Sequence, residues 1–229
     1  MFRRLALKSA KLENYRGKDK QSFDRVAISE NGGLAVLCDG ANSSPKGGEC
    51  ASICSAALCE ELGKAGCLDD ANQRVYDRVN WLIQKDIKDS GCTAISLQLL
   101  PNALRISGVG DSIAEIYRRG IWGWRLAFRT EQQLILGTTN PSQLMGCPAY
   151  SGPFYKEINA TGRYAVLMMS DGMYNFTTSL DRLRMIRQIK TETPSVHDLE
   201  YLLSDLAETA IANHANDDVS GVLSWARYK

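Results

Sequence analysis

Four apolar, strand-like runs of this chain each meet an aspartate beside a small residue. Three of the runs end at Asp39, Asp111 and Asp171. The fourth begins directly after Asp217-Asp218. An aspartate at the end of a buried strand projects into a cleft, and unpaired carboxylates about 4 Å apart repel by roughly 4 kcal/mol at an effective dielectric near 20. Carboxylate, carbonyl and water oxygens are the ligands of Mg²⁺ and Mn²⁺, so the pattern indicates a metal-dependent hydrolase.

The elements that must position these aspartates follow from the spacing of apolar residues. The predicted strands cover residues 25–29, 33–38, 92–100, 104–109, 113–117, 122–128, 163–169 and 219–225, and the predicted helices cover 47–63, 75–87 and 196–211. Asn31-Gly32 is a turn signal between the first two strands, and the four strands from 92 to 128 are typical of an antiparallel meander. Sheets with helices packed on them predict an α+β fold, with a single domain over residues 1–229.

Composition and charge argue against several other classes of protein. The chain has 229 residues, 44% of them hydrophobic, which suffices for one substantial core. Its formal charge of +1 gives no global field for nucleic acid or an anionic membrane, so we expect neither as a partner. No apolar stretch is long enough to cross a bilayer, and we expect a cytoplasmic protein. Seven cysteines without a Cys-x-x-Cys pair suit buried thiols in a reducing compartment better than a zinc or redox site.

Single motifs also have interpretations without this chemistry. An isolated Asp-Gly pair such as Asp39-Gly40 is usually a turn. The segment Gly108-Val109-Gly110 precedes an alternating run typical of a strand, which argues against a dinucleotide-binding loop. The two histidines, His197 and His214, are remote from candidate nucleophiles, which disfavours a serine or cysteine hydrolase. His214 is a candidate proton donor three residues before Asp217, although a surface position at a helix end is the commoner outcome.

Seven short motifs follow one another in a fixed order from about residue 14 to the end of the chain. They are Ser22-Phe23-Asp24-Arg25, Cys38-Asp39-Gly40 with Gly47-Gly48, Gly91-Cys92-Thr93-Ala94, Val109-Gly110-Asp111-Ser112, Leu144-Met145-Gly146, Ser170-Asp171-Gly172 and Asp217-Asp218-Val219-Ser220. In this order they resemble the motifs of the metal-dependent serine/threonine protein phosphatases of the protein phosphatase 2C type. The resemblance implies an αββα sandwich of two mainly antiparallel sheets flanked by helices.

The resemblance also implies how two Mn²⁺ or Mg²⁺ ions would be held. Asp39 would bridge both ions, and the carbonyl of Gly40 would bind one of them. Asp171 and Asp217 would hold the other ion. Asp24 would act through waters on the metals. A water shared by two cations loses its proton near neutral pH and attacks the phosphorus in line.

Further roles implied by the resemblance concern a third cation and the substrate. Asp111 would belong to a weaker third metal position. A basic side chain would neutralise the substrate phosphate, and Lys18, Lys20 and Arg16 are the candidates in the region where the family usually has an arginine. The implied substrate is a protein phosphorylated by a serine/threonine kinase.

Two departures from the family pattern leave alternatives open. The turn after Gly40 is longer than usual and lacks the histidine that serves as general acid in many members, although bacterial-type members without it are similar to this chain. The region between Gly120 and Pro153 leaves little room for the flap found in some relatives. One alternative is therefore a weak or inactive member that binds a phosphoprotein or a kinase as a regulator. Another is a phosphatase for small phosphate esters.

Overall fold

Two antiparallel sheets form the centre of the molecule. The computed structural model describes residues 6–13, 22–66 and 71–228. In this part of the chain the strands are β1 (Ala6–Leu12), β2 (Arg25–Ile28), β3 (Leu34–Cys38), β4 (Ala94–Leu99), β5 (Ala103–Val109), β6 (Ile113–Gly120), β7 (Gly123–Arg129), β8 (Phe154–Asn159), β9 (Gly162–Met169) and β10 (Gly221–Tyr228). The first sheet has the order β1-β10-β9-β6-β7 and the second has the order β2-β3-β4-β5-β8.

Helices cover the outer face of each sheet. They are α1 (Gly47–Ala65), α2 (Ala71–Asp86), α3 (Asp171–Tyr174), α4 (Ser179–Arg187) and α5 (Val196–Ala212). The helices α1 and α2 pack on the second sheet, and α3, α4 and α5 pack on the first. None of the helices in the described ranges combines the length and the apolar character needed to cross a bilayer.

Apolar side chains fill three layers, one between the sheets and one beneath each set of helices. The strand β3 contributes to two of them because successive side chains of a strand point to opposite faces. Ala35 and Leu37 face the other sheet. Leu34 and Val36 pack under α1 and α2. The helix-sheet-sheet-helix order confirms the predicted α+β fold and its αββα sandwich.

The predicted meander is wrong, because its four strands belong to two sheets. The strands β4 and β5 pair in the second sheet, whereas β6 and β7 pair in the first. The chain crosses between the sheets at Gly110-Asp111-Ser112, where Gly110 has a φ of 95°. The turn before β7 also differs from the prediction, since it consists of Ile121 and Trp122. Local alternation gives the strands but carries no information about which sheet each one joins.

The spacing of apolar residues does not predict β1, β8 or the short helices α3 and α4. Among the described strands β1 lies at the edge of the first sheet, beside β10, and β8 lies at the edge of the second sheet with mostly exposed residues. Ala10 is the one buried side chain among those described in β1, and β8 has none, so neither strand shows a strong apolar pattern. The helix α4 begins with a capping box in which the Thr178 and Asp181 side chains each bond the other residue's backbone N–H. That capping box was its sequence signal.

The cysteines in the described part of the chain are free thiols. Cys38, Cys54 and Cys92 are fully buried between α1 and the second sheet, and their sulfur atoms lie within 4.8 Å of one another. Cys38 ends β3, Cys54 lies in α1 and Cys92 precedes β4, and their spacing in sequence matches no usual zinc template. They fill the apolar layer under α1, as expected for small buried thiols.

Candidate metal centre

The predicted aspartates meet at one end of the sandwich. Asp39 follows β3, Asp111 lies at the crossover from β5 to β6, Asp171 begins α3 and Asp217 precedes β10. All four line one cleft of about 870 Å³. The strands position them because each carboxylate lies within four residues of the beginning or end of a buried strand at this edge of the molecule.

Asp39 occupies the electrostatic centre of this group. Burial raises the pKa of its carboxyl well above the ordinary value, and the nearby carboxylates raise it further. In decreasing order of effect, these are Asp24, Asp171, Asp217 and Asp111. The fold therefore brings together all five carboxylates that the sequence singles out.

The neighbours of Asp39 also resist ionisation. Burial, with the charge of Asp218, raises the pKa of Asp24 to about 8, although hydrogen bonds oppose the shift. Burial and the charge of Asp171 raise the pKa of Asp111 to about 6. The pKa of Asp171 is raised by burial and by Asp217. Near neutral pH, bound protons or bound cations must therefore offset the negative charge of the cluster.

Two carboxylate oxygens in the cluster lack an internal partner. Asp24 Oδ2 and Asp171 Oδ1 are buried and accept no hydrogen bond from the described residues. Buried polar atoms are nearly always paired, so such atoms point to a missing partner. Several convergent carboxylates are the donor set of a hard divalent cation, and the residues present fit Mg²⁺ or Mn²⁺.

Hydroxyl groups from two of the sequence motifs support the backbone of Asp39. The backbone N–H of Asp39 donates to Thr93 Oγ1 at 3.2 Å, and the Thr93 N–H donates to the Asp39 carbonyl at 2.8 Å. The hydroxyls of Thr93 and Ser112 are 2.7 Å apart and hydrogen-bonded. The Gly-Cys-Thr-Ala and Val-Gly-Asp-Ser motifs therefore hold the end of β3 and the crossover together.

Glycines allow the backbone segments of the site to approach closely. A Cβ on Gly40 would lie 2.5 Å from the carbonyl of Gly47. A Cβ on Gly172 would lie 2.2 Å from the carbonyl oxygen of Asp218. Both distances are far below contact, so Asp39-Gly40 can pack on the start of α1 and Asp171-Gly172 on the Asp217 segment only with glycine.

Asn42 is a site residue that the sequence analysis missed. Its Nδ2 donates to Asp217 Oδ1 at 2.8 Å and to Oδ2 at 3.1 Å. The residue lies in the long turn after Gly40, where the sequence analysis noted only the absent histidine. The unusual turn was the signal, and its contact with Asp217 depends on tertiary structure.

Solved structures of phosphatases are similar to this chain, although no protein-family model and no curated protein matches it. The catalytic domain of the serine threonine protein phosphatase PstP in complex with two manganese ions has a TM-score of 0.77 at 18% identity, covering 98% of this chain and 100% of that one. The Mycobacterium tuberculosis serine/threonine phosphatase PstP/Ppp has a TM-score of 0.76 at 17% identity, covering 98% of this chain and 100% of that one. The serine/threonine phosphatase Stp1 from Staphylococcus aureus has a TM-score of 0.75 at 16% identity, covering 97% of this chain and 95% of that one. This chain has the serine/threonine phosphatase fold.

Basic side chains are absent from the lining of this cleft in the part of the chain that the structure describes. Lys18, Lys20 and Arg16, the candidates for binding phosphate, lie outside the described residues. None of the described residues that line the cleft is a lysine, an arginine or a histidine. His214 is exposed after α5 with a φ of 63° and does not line the cleft. The structure therefore gives no support for His214 as the proton donor.

Proposed function

We propose that this chain is a protein phosphatase that hydrolyses phosphoserine and phosphothreonine with Mn²⁺ or Mg²⁺. One observation carries the proposal: five carboxylates converge around Asp39, and buried oxygens of Asp24 and Asp171 have no hydrogen-bond partner among the described residues. The similarity of the fold to a PstP domain that holds two manganese ions supports the same conclusion.

The proposed ligands would hold two cations and would bind a third cation more weakly. They are Asp24, Asp39, Gly40, Asp111, Asp171 and Asp217. Asp39 would help to hold both cations, because it lies close enough to the other four carboxylates for their charges to raise its pKa. Asp24, with 1% of its surface exposed, would act from beneath the cluster through water. Asp111 would serve the third position.

The cations, when bound, supply a water nucleophile that is deprotonated near neutral pH and neutralise charge on the phosphoryl oxygens. The chain itself contributes orientation. Asn42 fixes the carboxylate of Asp217, and Thr93 with Ser112 fixes the backbone of Asp39. A basic side chain that neutralises the substrate phosphate stays a prediction, with Lys18, Lys20 and Arg16 as the candidates.

The shape of the cleft suits a phosphorylated side chain with neighbouring residues. Amide and hydroxyl side chains line it beside the carboxylates, together with the apolar Leu134, Leu144 and Phe176. Such a lining offers hydrogen-bond partners for a peptide backbone and contacts for apolar side chains. We propose a protein substrate that a serine/threonine kinase has phosphorylated.

Hydrolysis of a phosphothreonine peptide tests this function. The wild-type protein is assayed with Mn²⁺, with Mg²⁺ and with EDTA, beside Asp39→Asn and the control Asp205→Asn, which lies on the exposed face of α5. We expect turnover that EDTA abolishes and that Asp39→Asn lowers by roughly a thousandfold, since a metal contributes several kcal/mol to the transition state. Asp205→Asn should retain wild-type turnover.

A regulator that binds phosphoproteins or kinases without hydrolysis is the second candidate. The observation that favours it is the lack of a general acid among the described residues lining the cleft. Binding of the phosphopeptide by the metal-loaded wild-type protein without turnover would favour this candidate. Turnover that requires Asp39 would exclude it.

A further inference from the structure

The turn between β6 and β7 exposes two large apolar side chains. Gly120 ends β6 and Gly123 begins β7, so the tip of this hairpin is Ile121-Trp122. Ile121 is 97% exposed and Trp122 is 100% exposed. Neither side chain gains stability from packing within the described protein.

The hairpin does not need apolar residues at its tip. Gly123 has a φ of 102°, which gives the chain its reversal, and turn positions are ordinarily polar. The neighbouring Trp124 anchors the hairpin, since it is 5% exposed and its indole N–H donates to the Ile189 carbonyl at 3.2 Å. A reason for Ile121 and Trp122 must therefore be sought outside the fold.

Arginines surround this tip. A shallow cleft of about 530 Å³ beside Trp122 is lined by Arg118, Arg119, Arg125 and Arg187, and no carboxylate is among its described lining residues. Arg118 and Arg119 have hydrogen bonds to Thr161 and to the Ile189 carbonyl, respectively. Arg125 and Arg187 are exposed and form no ion pair within the described ranges. The cleft is therefore a concentrated positive site.

The basic tip and the acidic cleft lie at opposite ends of the first sheet. The strand β6 begins at Ile113, two residues after Asp111, and ends at Gly120. Its eight residues separate the two ends by about 25 Å at roughly 3.3 Å per residue. The net charge of +1 conceals this separation of charge. A surface bound at the tip would leave the carboxylate cleft facing away from it.

We propose that the β6–β7 tip, defined by Ile121, Trp122 and the four arginines, binds the surface of an anionic phospholipid membrane. Tryptophan and isoleucine on a protruding turn can enter the boundary between headgroups and acyl chains. Arginines beside them bind lipid phosphates and meet the negative surface potential. This peripheral binding departs from the sequence-based expectation that no membrane is a partner.

A membrane fits the tip better than an acidic protein does. A protein partner buries apolar side chains in a matching pocket within a large complementary interface. The tip instead offers two adjacent side chains that project almost completely into solvent, which suits a soft interface without a preformed pocket. Charge complementarity to anionic lipid completes the match.

Co-sedimentation with vesicles tests the proposal. Full-length protein is mixed with phosphatidylcholine vesicles and with vesicles containing about 30% phosphatidylserine. We expect partition to the anionic vesicles only. The double variant Ile121→Ser/Trp122→Ser should lower partition at least tenfold, since two large apolar groups no longer leave water. Arg125→Gln and Arg187→Gln should each lower it by roughly fivefold.

Trp81→Ser is the matched control, because Trp81 is an exposed tryptophan on α2, away from the tip. It should leave vesicle partition unchanged, and the thermal unfolding curves of all variants should match the wild type. Equal sedimentation of wild type and the double variant would overturn the proposal. So would an absence of wild-type sedimentation, and binding to soluble polyglutamate instead of vesicles would assign the tip to an acidic protein.

Discussion

At the residue scale, the aspartate cluster makes the stability of the metal-free protein depend on pH. The pKa of Asp24 is raised to about 8 and that of Asp111 to about 6, chiefly by burial and then by neighbouring charges. A carboxyl whose pKa is higher in the folded state keeps a proton that the unfolded chain releases. Stability is then lost as pH rises from about 4, the ordinary aspartate pKa, through the folded pKa.

The first prediction concerns this pH dependence. In EDTA, the melting temperature of the wild type should fall as pH rises from 5 to 8. The melting temperature of Asp24→Asn should fall less, because this variant carries no titrating group at that position. Saturating Mn²⁺ should raise the melting temperature most at pH 8, where protons no longer neutralise the cluster. Thermal denaturation followed by circular dichroism measures this. A melting temperature that rises with pH in EDTA would contradict the electrostatic account of the cluster.

The second prediction concerns Asn42. Its amide holds the carboxylate of Asp217, so Asn42→Ala should lower the affinity for Mn²⁺ about tenfold, as loss of a group that orients a ligand typically does. Ser43→Ala changes the next residue of the same turn and should leave the affinity unchanged. Isothermal titration calorimetry compares the three proteins. Equal affinities for all of them would show that Asn42 has no orienting role.

At the scale of elements, close backbone contact positions α3 against the Asp217 segment. Gly172→Ala would place a Cβ 2.2 Å from the Asp218 carbonyl oxygen and must push the two segments apart. We expect a loss of about 1–3 kcal/mol in the free energy of unfolding, with weaker Mn²⁺ binding. Gly63→Ala, in α1 with no close contact, should be neutral or stabilise by up to about 1 kcal/mol. Urea unfolding distinguishes them, and equal effects would refute the steric argument.

A buried ionic network joins α4 to the first sheet. Glu115 in β6 has no exposed surface and accepts from Arg182 Nε at 3.0 Å and from Arg129 Nε at 2.7 Å. Arg182 also donates to the carbonyl of Tyr174, the last residue of α3. The network therefore links the helix that Asp171 begins to the strand that follows Asp111.

Removal of one partner from this network should be costly. Arg182→Met leaves Glu115 with a single arginine in a buried position, and we expect a loss of about 3 kcal/mol in the free energy of unfolding. The exposed Arg184 has its Nη1 3.9 Å from Asp181 Oδ1, so Arg184→Met should lower the free energy of unfolding by less than about 0.5 kcal/mol. Urea denaturation measures both values. A loss below 1 kcal/mol for Arg182→Met would mean that packing, not charge, attaches α4.

At the scale of the whole molecule, the sequence predicts the architecture better than the path of the chain. Period-two and helical spacing identify the buried strands and the long helices, because those elements bury a whole face. They miss β1 and β8, which lie at sheet edges, and they place β5 and β6 in one sheet. The crossover at Asp111 depends on tertiary packing, which a local pattern does not contain.

The candidate site, like the fold, was predictable from the sequence only in part. The aspartates were predictable because each stands beside a buried strand, and that position brings them to one edge of the sandwich. The contact from Asn42 to Asp217 was not predictable, because it joins residues 175 positions apart. The tip at Trp122 was also missed, since a tryptophan within an alternating run favours a strand over a turn. Functions of turns and long-range contacts require the three-dimensional structure.

We propose above all that this fold gathers carboxylates to hold two divalent cations. Anomalous scattering from a crystal grown with Mn²⁺ tests it most directly, because manganese positions are then observed independently of activity. We predict two manganese peaks that share Asp39, with Asp171 and Asp217 on one of them and the Gly40 carbonyl on the other. A map at saturating Mn²⁺ without a peak beside Asp39 would contradict the claim.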